Sequence, residues 1–574
     1  MQAPPHEPLT RPVAWWQTRW FVVAAALFAC IPLIYPQIPP IVDLPGHMGR
    51  YRVQLDRGTY PWLSDWYRFD WSLIGNLGID LLIEPLAPLI GLEPAVKLIV
   101  MTIPMLTVAG LLLIAREVHG RVPPTALFAL PLAYGYPFQF GFVNFALSMG
   151  LALCLFALWL RMAKTGRLTL RAAVFVPLSC LLWVCHTFGW GVLGVLAFSS
   201  EMIRQHDLRK TRTSGHWVES WVRAGLGCVP LALPMVLMVA WRSGADVTGQ
   251  TADFFYWRTK IAWVVMALRD RWLWFDVASV AVIYVVLFKA LRDPRIGYSR
   301  HLGLSALFML AVYILLPRIV FGSAYADMRL APYLLAIAII AIRPRPGATI
   351  RHAATWAALG LAFFLVRIGA QTISYARFAR DYQVELAALD HVPIGARLIA
   401  FVGHNCRNEW TMTRLEHLPA LALERRLAYT DDQWSMAGGQ LLTTRYAAAG
   451  GFAHDPTQLV TPVRCRGEWW RPVNYALARF PRGAFDYVWL IRPPEIAWRF
   501  VPDLKPIWRS PQSNSMLLRI DHSVPLPEAS DEDLGIPKYL VEFMRRRREA
   551  LIRAGVIGPD PSPVRTEPDR GKVP

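Results

Sequence analysis

The chain has 574 residues, 54% of them apolar and 18% charged, with a formal charge of +19, and its mean hydropathy is +0.31. That balance excludes an ordinary soluble enzyme, because the charges fall in short blocks between long apolar runs, the arrangement that lets helices close their backbone hydrogen bonds in lipid. It also argues against nucleic acid as a partner: the basic residues sit mainly in short connections and are almost all Arg, with Lys at only eight positions.

In chain order the apolar runs predict spans at 20–36, 94–115, 122–138, 142–160, 172–187, 189–203, 224–241, 273–290, 301–317, 328–342 and 354–371. A bilayer core takes about 20 apolar residues, so the long 172–203 run is split near Thr187–Gly191. The first run reads as a retained span, since no small-residue cleavage site follows it. Trp15, Trp16, Trp20, Trp241, Trp272 and Trp274 lie at run edges, as an interfacial belt requires. With the N-terminus inside, the inner segments 1–19, 116–121, 161–171, 204–223, 289–300 and 343–353 hold twenty Arg or Lys residues, whereas the first outer loop, 37–93, has four Arg against seven acids. This is a positive-inside bias. An odd number of spans then puts everything after 371 outside. The expected fold is a polytopic α-helical membrane protein of about eleven transmembrane helices with a small α/β extracytoplasmic C-terminal domain. Its parts are a bundle (1–371), an α/β domain (372–522) and a polar, largely disordered tail (523–574) with one charged helix near Pro537–Arg553 whose Arg545–Arg548 group faces either anionic lipid or water.

The first outer loop has helical stretches at 46–57 and 71–84, the second with Asn76, Asp80 and Glu84 four apart on one side. In the C-terminal domain, Arg397–Val402, Phe485–Ile491 and Ser515–Ile520 read as strands, and Thr411–Arg426 and Asn474–Ala478 as helices. Cys406 and Cys465 lie in this domain, either paired by an oxidising compartment or free. No Cys/His spacing forms a zinc pattern.

Asp43 follows the first span. An Asp so placed is either a general base toward an acceptor hydroxyl or a helix cap ahead of Pro45. His47 lies one helical turn on, facing the same cavity if the helix starts by Pro45. Arg50 and Arg52 supply the cations a phosphate needs. Arg318, Tyr325, Asp327 and Arg329 form a second group at the junction of two later spans. Arg318 and Arg329 would hold phosphate with Asp327 orienting one of them, or Asp327 and an Arg would pair structurally. His186, in Trp183-Val-Cys-His186, either binds a sugar or phosphate oxygen or bonds a neighbouring helix. Tyr134, Tyr136, Phe138, Phe140 and Asn144 line an outer turn, where aromatic faces either stack on sugar rings or form an interfacial belt.

These features resemble the GT-C superfamily of membrane glycosyltransferases, which use polyprenyl-phosphate-linked sugars. The likeness lies in an acid shortly after span one, two juxtamembrane helices in the first outer loop, the span count and an outer C-terminal domain. Asp43-Leu-Pro-Gly-His47 resembles the Asp-x-Pro-x-His pattern, and Asp327-x-Arg329 the later Asp-x-Arg pattern, of a bacterial branch of this build. The resemblance implies Asp43 and His47 as catalytic residues. It implies substrate binding by Arg50, Arg52, His186, Arg318, Tyr325, Asp327 and Arg329. It further implies a polyprenyl-phosphate sugar donor, a glycan, lipid or protein acceptor, contact with membrane lipid, and a place in the bacterial inner membrane with the N-terminus cytoplasmic and the C-terminal domain periplasmic. Asp43 is followed by Leu44, where some members have a second acid. A divalent metal is compatible with the resemblance, but a single carboxylate does not indicate one. Two other readings compete: a transporter or flippase for a lipid-linked saccharide, which inverted repeats would favour, and a non-catalytic assembly protein for envelope polysaccharide.

Overall fold

The computed structural model describes residues 13–553 apart from 210–215, 244–248, 346, 407–408, 437 and 466–469. Among the described residues, five helices are long and apolar enough to cross a membrane: Leu92–His119, Val143–Lys164, Leu168–Cys185, Leu273–Arg292 and the one starting at Ile350. A pair bent by 65°, Trp217–Leu231 with Leu233–Arg242, makes six if it counts as one span. This corrects the expected eleven. The 20–36 run is Arg19–Phe28 followed by Ile31–Ile34, interrupted at Ala29–Cys30. The 122–138 run is a 3-10 helix, Pro124–Tyr134, and a short helix, Tyr136–Phe140. Pro123, Pro124, Pro131 and Pro137 deny that stretch the donors of a continuous α-helix. The 301–317 and 328–342 runs are Arg300–Leu315 and Ala326–Ile340, of 16 and 15 residues. The 189–203 run lies in Thr187–Asp207, whose C-terminal part carries a buried Glu201–Arg171 ion pair. With the count changed, the parity argument for the outer side lapses.

The helix from Ile350 continues to Leu386, 37 residues in all, about 55 Å at 1.5 Å per residue. That is well beyond a bilayer core. Its far end leaves the bundle and enters the C-terminal domain, so the last expected span and the amphipathic stretch after it are one rod. Tyr375 and Tyr382 on this rod donate to Gln139 Oε1 and to the Arg414 carbonyl, at 2.8 and 2.6 Å. Arg414 is fully buried and pairs with Asp270 at 2.5 Å. The rod therefore binds bundle and domain together.

The C-terminal domain holds a six-stranded sheet: β1 (Leu398–Gly403), β2 (Leu459–Thr461), β3 (Arg471–Pro472), β4 (Tyr487–Ile491), β5 (Leu504–Arg509) and β6 (Met516–Ile520), in the order β3-β2-β1-β4-β6-β5. β1 runs parallel to β2 and β4, and β6 antiparallel to β4 and β5. The near-continuous apolar β1 and β4, with buried Phe401, Val488 and Leu490, suit strands covered on both faces. Cys406 and Cys465 form a disulfide with Cα atoms 5.3 Å apart. The charged helix near the end is Lys538–Arg553; the chain from 554 lies outside the described residues.

Two longer helices order the first loop, with a short one, Pro61–Trp66, between them. Leu44–Leu55 occupies the first expected stretch. The second helix is Gly78–Ile90, not 71–84. Its start is set by tertiary contacts: Asn144 Oδ1 accepts from the Ile79 N–H at 2.7 Å, and the Leu77 N–H is spent on the Val184 carbonyl at 2.8 Å. Residues Tyr67–Phe69 pair antiparallel with Leu442–Thr444, so the loop is stitched to the C-terminal domain. The Leu44–Leu55 helix packs against the C-terminal domain through two glycines. A Cβ at Gly46 would come within 2.5 Å of the Trp434 ring, and one at Gly49 within 2.8 Å of Gln433 Nε2.

Candidate functional site

Asp43 stands at the N-cap position of Leu44–Leu55, yet its carboxylate makes no capping hydrogen bond. Its backbone N–H donates to the Phe140 carbonyl at 3.1 Å and its carbonyl accepts from His47 N–H at 3.0 Å. Gly141, with φ +117°, lets the two segments meet: a Cβ there would lie 2.6 Å from Asp43 N and Cβ. The backbone is thus clamped while the carboxylate faces inward.

What it faces comes largely from the C-terminal domain. His417 Nε2 is 3.9 Å from Asp43 Oδ1 and 4.0 Å from Asp455 Oδ1. Burial first, then the nearby Glu416 and Asp455 carboxylates, push the Asp43 carboxyl well above its usual range, with Arg329 pulling the other way. Burial likewise pushes Glu416 up to about 7, and His404 Nε2 lies 3.5 Å from its Oε1. His47, at the first turn of the helix, packs edge-on to Trp434 at 5.3 Å and is held well below its ordinary range by burial, Arg50 and His417. Trp434 also meets His417, with ring centroids 4.9 Å apart.

Arg329 completes the cluster. It is 7% exposed, lies 4.2 Å over the Phe142 ring and donates to Ser323 Oγ at 3.0 Å. Among the described residues it forms no ion pair, and its Nε has no hydrogen-bond partner. A buried guanidinium without a carboxylate is costly unless an anion meets it. Phe142 follows directly on the Phe140–Gly141 clamp, so Asp43 and Arg329 flank the same short segment. His186 sits across Phe188 from Arg329, with the two ring centroids 5.7 Å apart, and its Nδ1 accepts from the Phe188 N–H at 3.1 Å, capping Thr187–Asp207.

The other expected cations are committed elsewhere. Arg50 is buried and pairs with Asp80 at 2.9 Å, and Asn144 Nδ2 donates to the same Asp80 carboxylate at 2.9 Å. Arg52 pairs with Glu424 at 3.1 Å. Both join the first-loop helix to its neighbours. Asp327 orients neither Arg318 nor Arg329: Lys260 Nζ is 3.3 Å from its Oδ2 and Trp263 Nε1 donates to its Oδ1 at 3.2 Å. Lys260 was not among the expected residues. Arg318 pairs with Asp253 at 3.5 Å and lies 5.3 Å over the Tyr325 ring. Tyr325, with φ +61°, turns its ring toward Phe140, 5.4 Å away. Hence Asp43, His47, Tyr325 and Arg329 gather in one cluster, with His186 and Arg318 beside it and Arg50, Arg52 and Asp327 tied into packing.

Glu416, His417, Trp434 and Asp455 were not legible in the sequence. Thr411–Arg426 reads as one helix there, but only Ala420–Arg426 is helical. The preceding residues are pulled out of helix by Arg414, which plugs into the bundle, and by Pro419. The adjacent Glu416-His417 pair was the available signal, and nothing in its spacing relates it to Asp43. Among the described residues no group of three or more His, Cys, Asp or Glu is arranged to hold a metal ion.

Fold and site define a multi-pass helical membrane protein whose globular C-terminal domain closes over its first loop. No family model matches the chain, and no curated protein matches it. Among solved structures it is similar to ArnT from Cupriavidus metallidurans bound to undecaprenyl phosphate, with 13% identity over 89% of this chain and 99% of that one and a TM-score of 0.45. Likeness of that degree carries no argument about function.

Proposed function

We propose that the protein is a membrane glycosyltransferase of the GT-C kind, moving a sugar from a polyprenyl-phosphate donor to a hydroxyl of an envelope glycan, lipid or protein on the periplasmic face. The observation that carries this reading is the nearness of a carboxylate that makes no helix-capping bond, Asp43, to a buried guanidinium, Arg329, with no ion pair among the described residues. Arg329 neutralises the phosphate as it leaves. Asp43, whose proton affinity is raised by burial and its acidic neighbours, takes the acceptor proton. The acceptor oxygen bonds to the anomeric carbon from the opposite side, the bond from that carbon to the phosphate oxygen breaks, and configuration inverts. Phe140, Phe142 and Tyr325 supply aromatic faces beside both groups. The test is sugar transfer from radiolabelled polyprenyl-phosphate sugars by the purified chain in nanodiscs. A folded Asp43→Asn protein loses about 10²–10⁴-fold in rate, the usual worth of a general base. Undiminished transfer from it removes Asp43 as the base.

A further inference from the structure

A proton delivered to Asp43 has to leave before the next turnover. Asp43 is poorly placed to release it to water, since its side chain is only 14% exposed. His417 offers an exit. Its Nε2 sits between two carboxylates, 3.9 Å from Asp43 and 4.0 Å from Asp455, and the Asp455 side chain is 28% exposed. Each gap is about 1 Å beyond a hydrogen bond, so a small rotation of the ring closes one contact as it opens the other. Asp455 is held for this. Gln458 Nε2 donates to its Oδ1 at 2.7 Å, and its own N–H donates to the Gln433 carbonyl at 3.0 Å.

The charged and titratable surroundings of His417 are few. Asp43 comes from the first loop and Asp455 from the segment before β2. Glu416 precedes it in the chain, the Asp432 backbone lies beside the ring, and His47, which shares the Trp434 contact, is close enough to interact with it electrostatically. Burial lowers the affinity of His417 for a proton and the Asp455 charge opposes that, so the ring rests neutral and holds a proton only in passing.

We propose that His417 relays protons, taking from Asp43 the proton won from the acceptor and handing it to Asp455 at the solvent edge. This rests on Asp43 acting as the base of glycosyl transfer. In balance, the acceptor O–H bond breaks as the new glycosidic bond forms. The electron pair of the old glycosyl–phosphate bond leaves on the polyprenyl phosphate, and the proton passes from Asp43 to His417 Nε2, then to Asp455, then to water. Asp43 returns to a carboxylate, and nothing is oxidised or reduced. His417 is a positioning and relay residue; it acts through Asp43.

The test reads His417 directly through Trp434, whose ring a neighbouring imidazolium perturbs. Fluorescence of the full chain in nanodiscs is titrated with pH, and the same titration of Trp434→Phe is subtracted. The difference contains a step that persists in His47→Gln and vanishes in His417→Gln. Its midpoint falls by about one pH unit, tenfold in proton affinity, in Asp455→Asn, because the Asp455 charge raises the ring's affinity for a proton. A midpoint indifferent to Asp455 overturns the relay. In the transfer assay, Asp455→Asn and His417→Gln lower kcat and change the pH profile while leaving the donor KM alone, and added imidazole restores His417→Gly. A His417→Gln profile parallel to wild type overturns the relay as well. Should His417 variants fail to fold, the more exposed Asp455→Asn still decides both readouts. A coupled titration in a chain that transfers no sugar refutes glycosyl transfer while leaving the proton coupling intact, so the two failures are distinct.

Discussion

Arg50 separates a structural cation from a substrate-binding one, and the structure assigns it to packing. Its side chain is 3% exposed and meets Asp80, itself 2% exposed, through contacts of 2.9 and 3.1 Å to the two carboxylate oxygens. Replacing Arg50 with Met leaves the Asp80 carboxylate buried, held at its side chain by the Asn144 amide. Breaking one side of such a pair costs about 3–5 kcal/mol, whereas replacing both partners with apolar residues of similar volume is often neutral. Arg50→Met is therefore expected to destabilise by about 3 kcal/mol or more, and Arg50→Met with Asp80→Leu to recover most of that loss, a coupling of at least about 2 kcal/mol in the double-mutant cycle. The measurement is unfolding by SDS titration in mixed micelles for wild type, both single variants and the double. If Arg50 served a bound phosphate instead, Arg50→Met would leave stability unchanged and the cycle would close near zero. A coupling below about 0.5 kcal/mol, the level seen for independent sites, refutes the assignment.

Three further outcomes follow from the same geometry. Glu416, pushed up to about 7 from an ordinary 4.5, keeps its proton in the folded state while the unfolded chain releases it. Stability from this group is thus present below about pH 4.5 and lost as pH rises toward 7, about 3 kcal/mol in full. Glu416→Gln should match wild type at pH 4 and exceed it at pH 8 in the same unfolding assay. An Ala at Gly141 meets Asp43 at 2.6 Å in a backbone conformation of φ +117°. It should cost about 1–3 kcal/mol and lower transfer more than stability, which parallel unfolding and rate measurements separate. Thiol titration of the denatured, unreduced chain should count five free cysteines of the seven, because Cys406 and Cys465 are joined; seven would refute the bond.

Hydropathy alone established that the chain lives in a membrane, because twenty-odd apolar residues in a row have few other uses. Pattern also located β1, β4 and β6, whose apolar runs lie between polar turns. It picked out Asp43, an acid at a run edge ahead of Pro45. Span number escaped it. Apolar content does not distinguish a crossing helix from buried, proline-broken segments such as Pro124–Tyr134 or from short helices such as Ala326–Ile340. Only the folded chain decided which cations are free. Arg50, Arg52, Arg318 and Arg329 look alike in sequence, yet Asp80, Glu424 and Asp253 pair with the first three from distant segments, and among the described residues the fourth forms no ion pair. Tertiary packing likewise brought Glu416, His417 and Asp455 to Asp43, because the glycine face of Leu44–Leu55 lets Trp434 and its neighbours approach. A site assembled from both ends of a chain leaves no local spacing to read, since its geometry resides in contacts between elements.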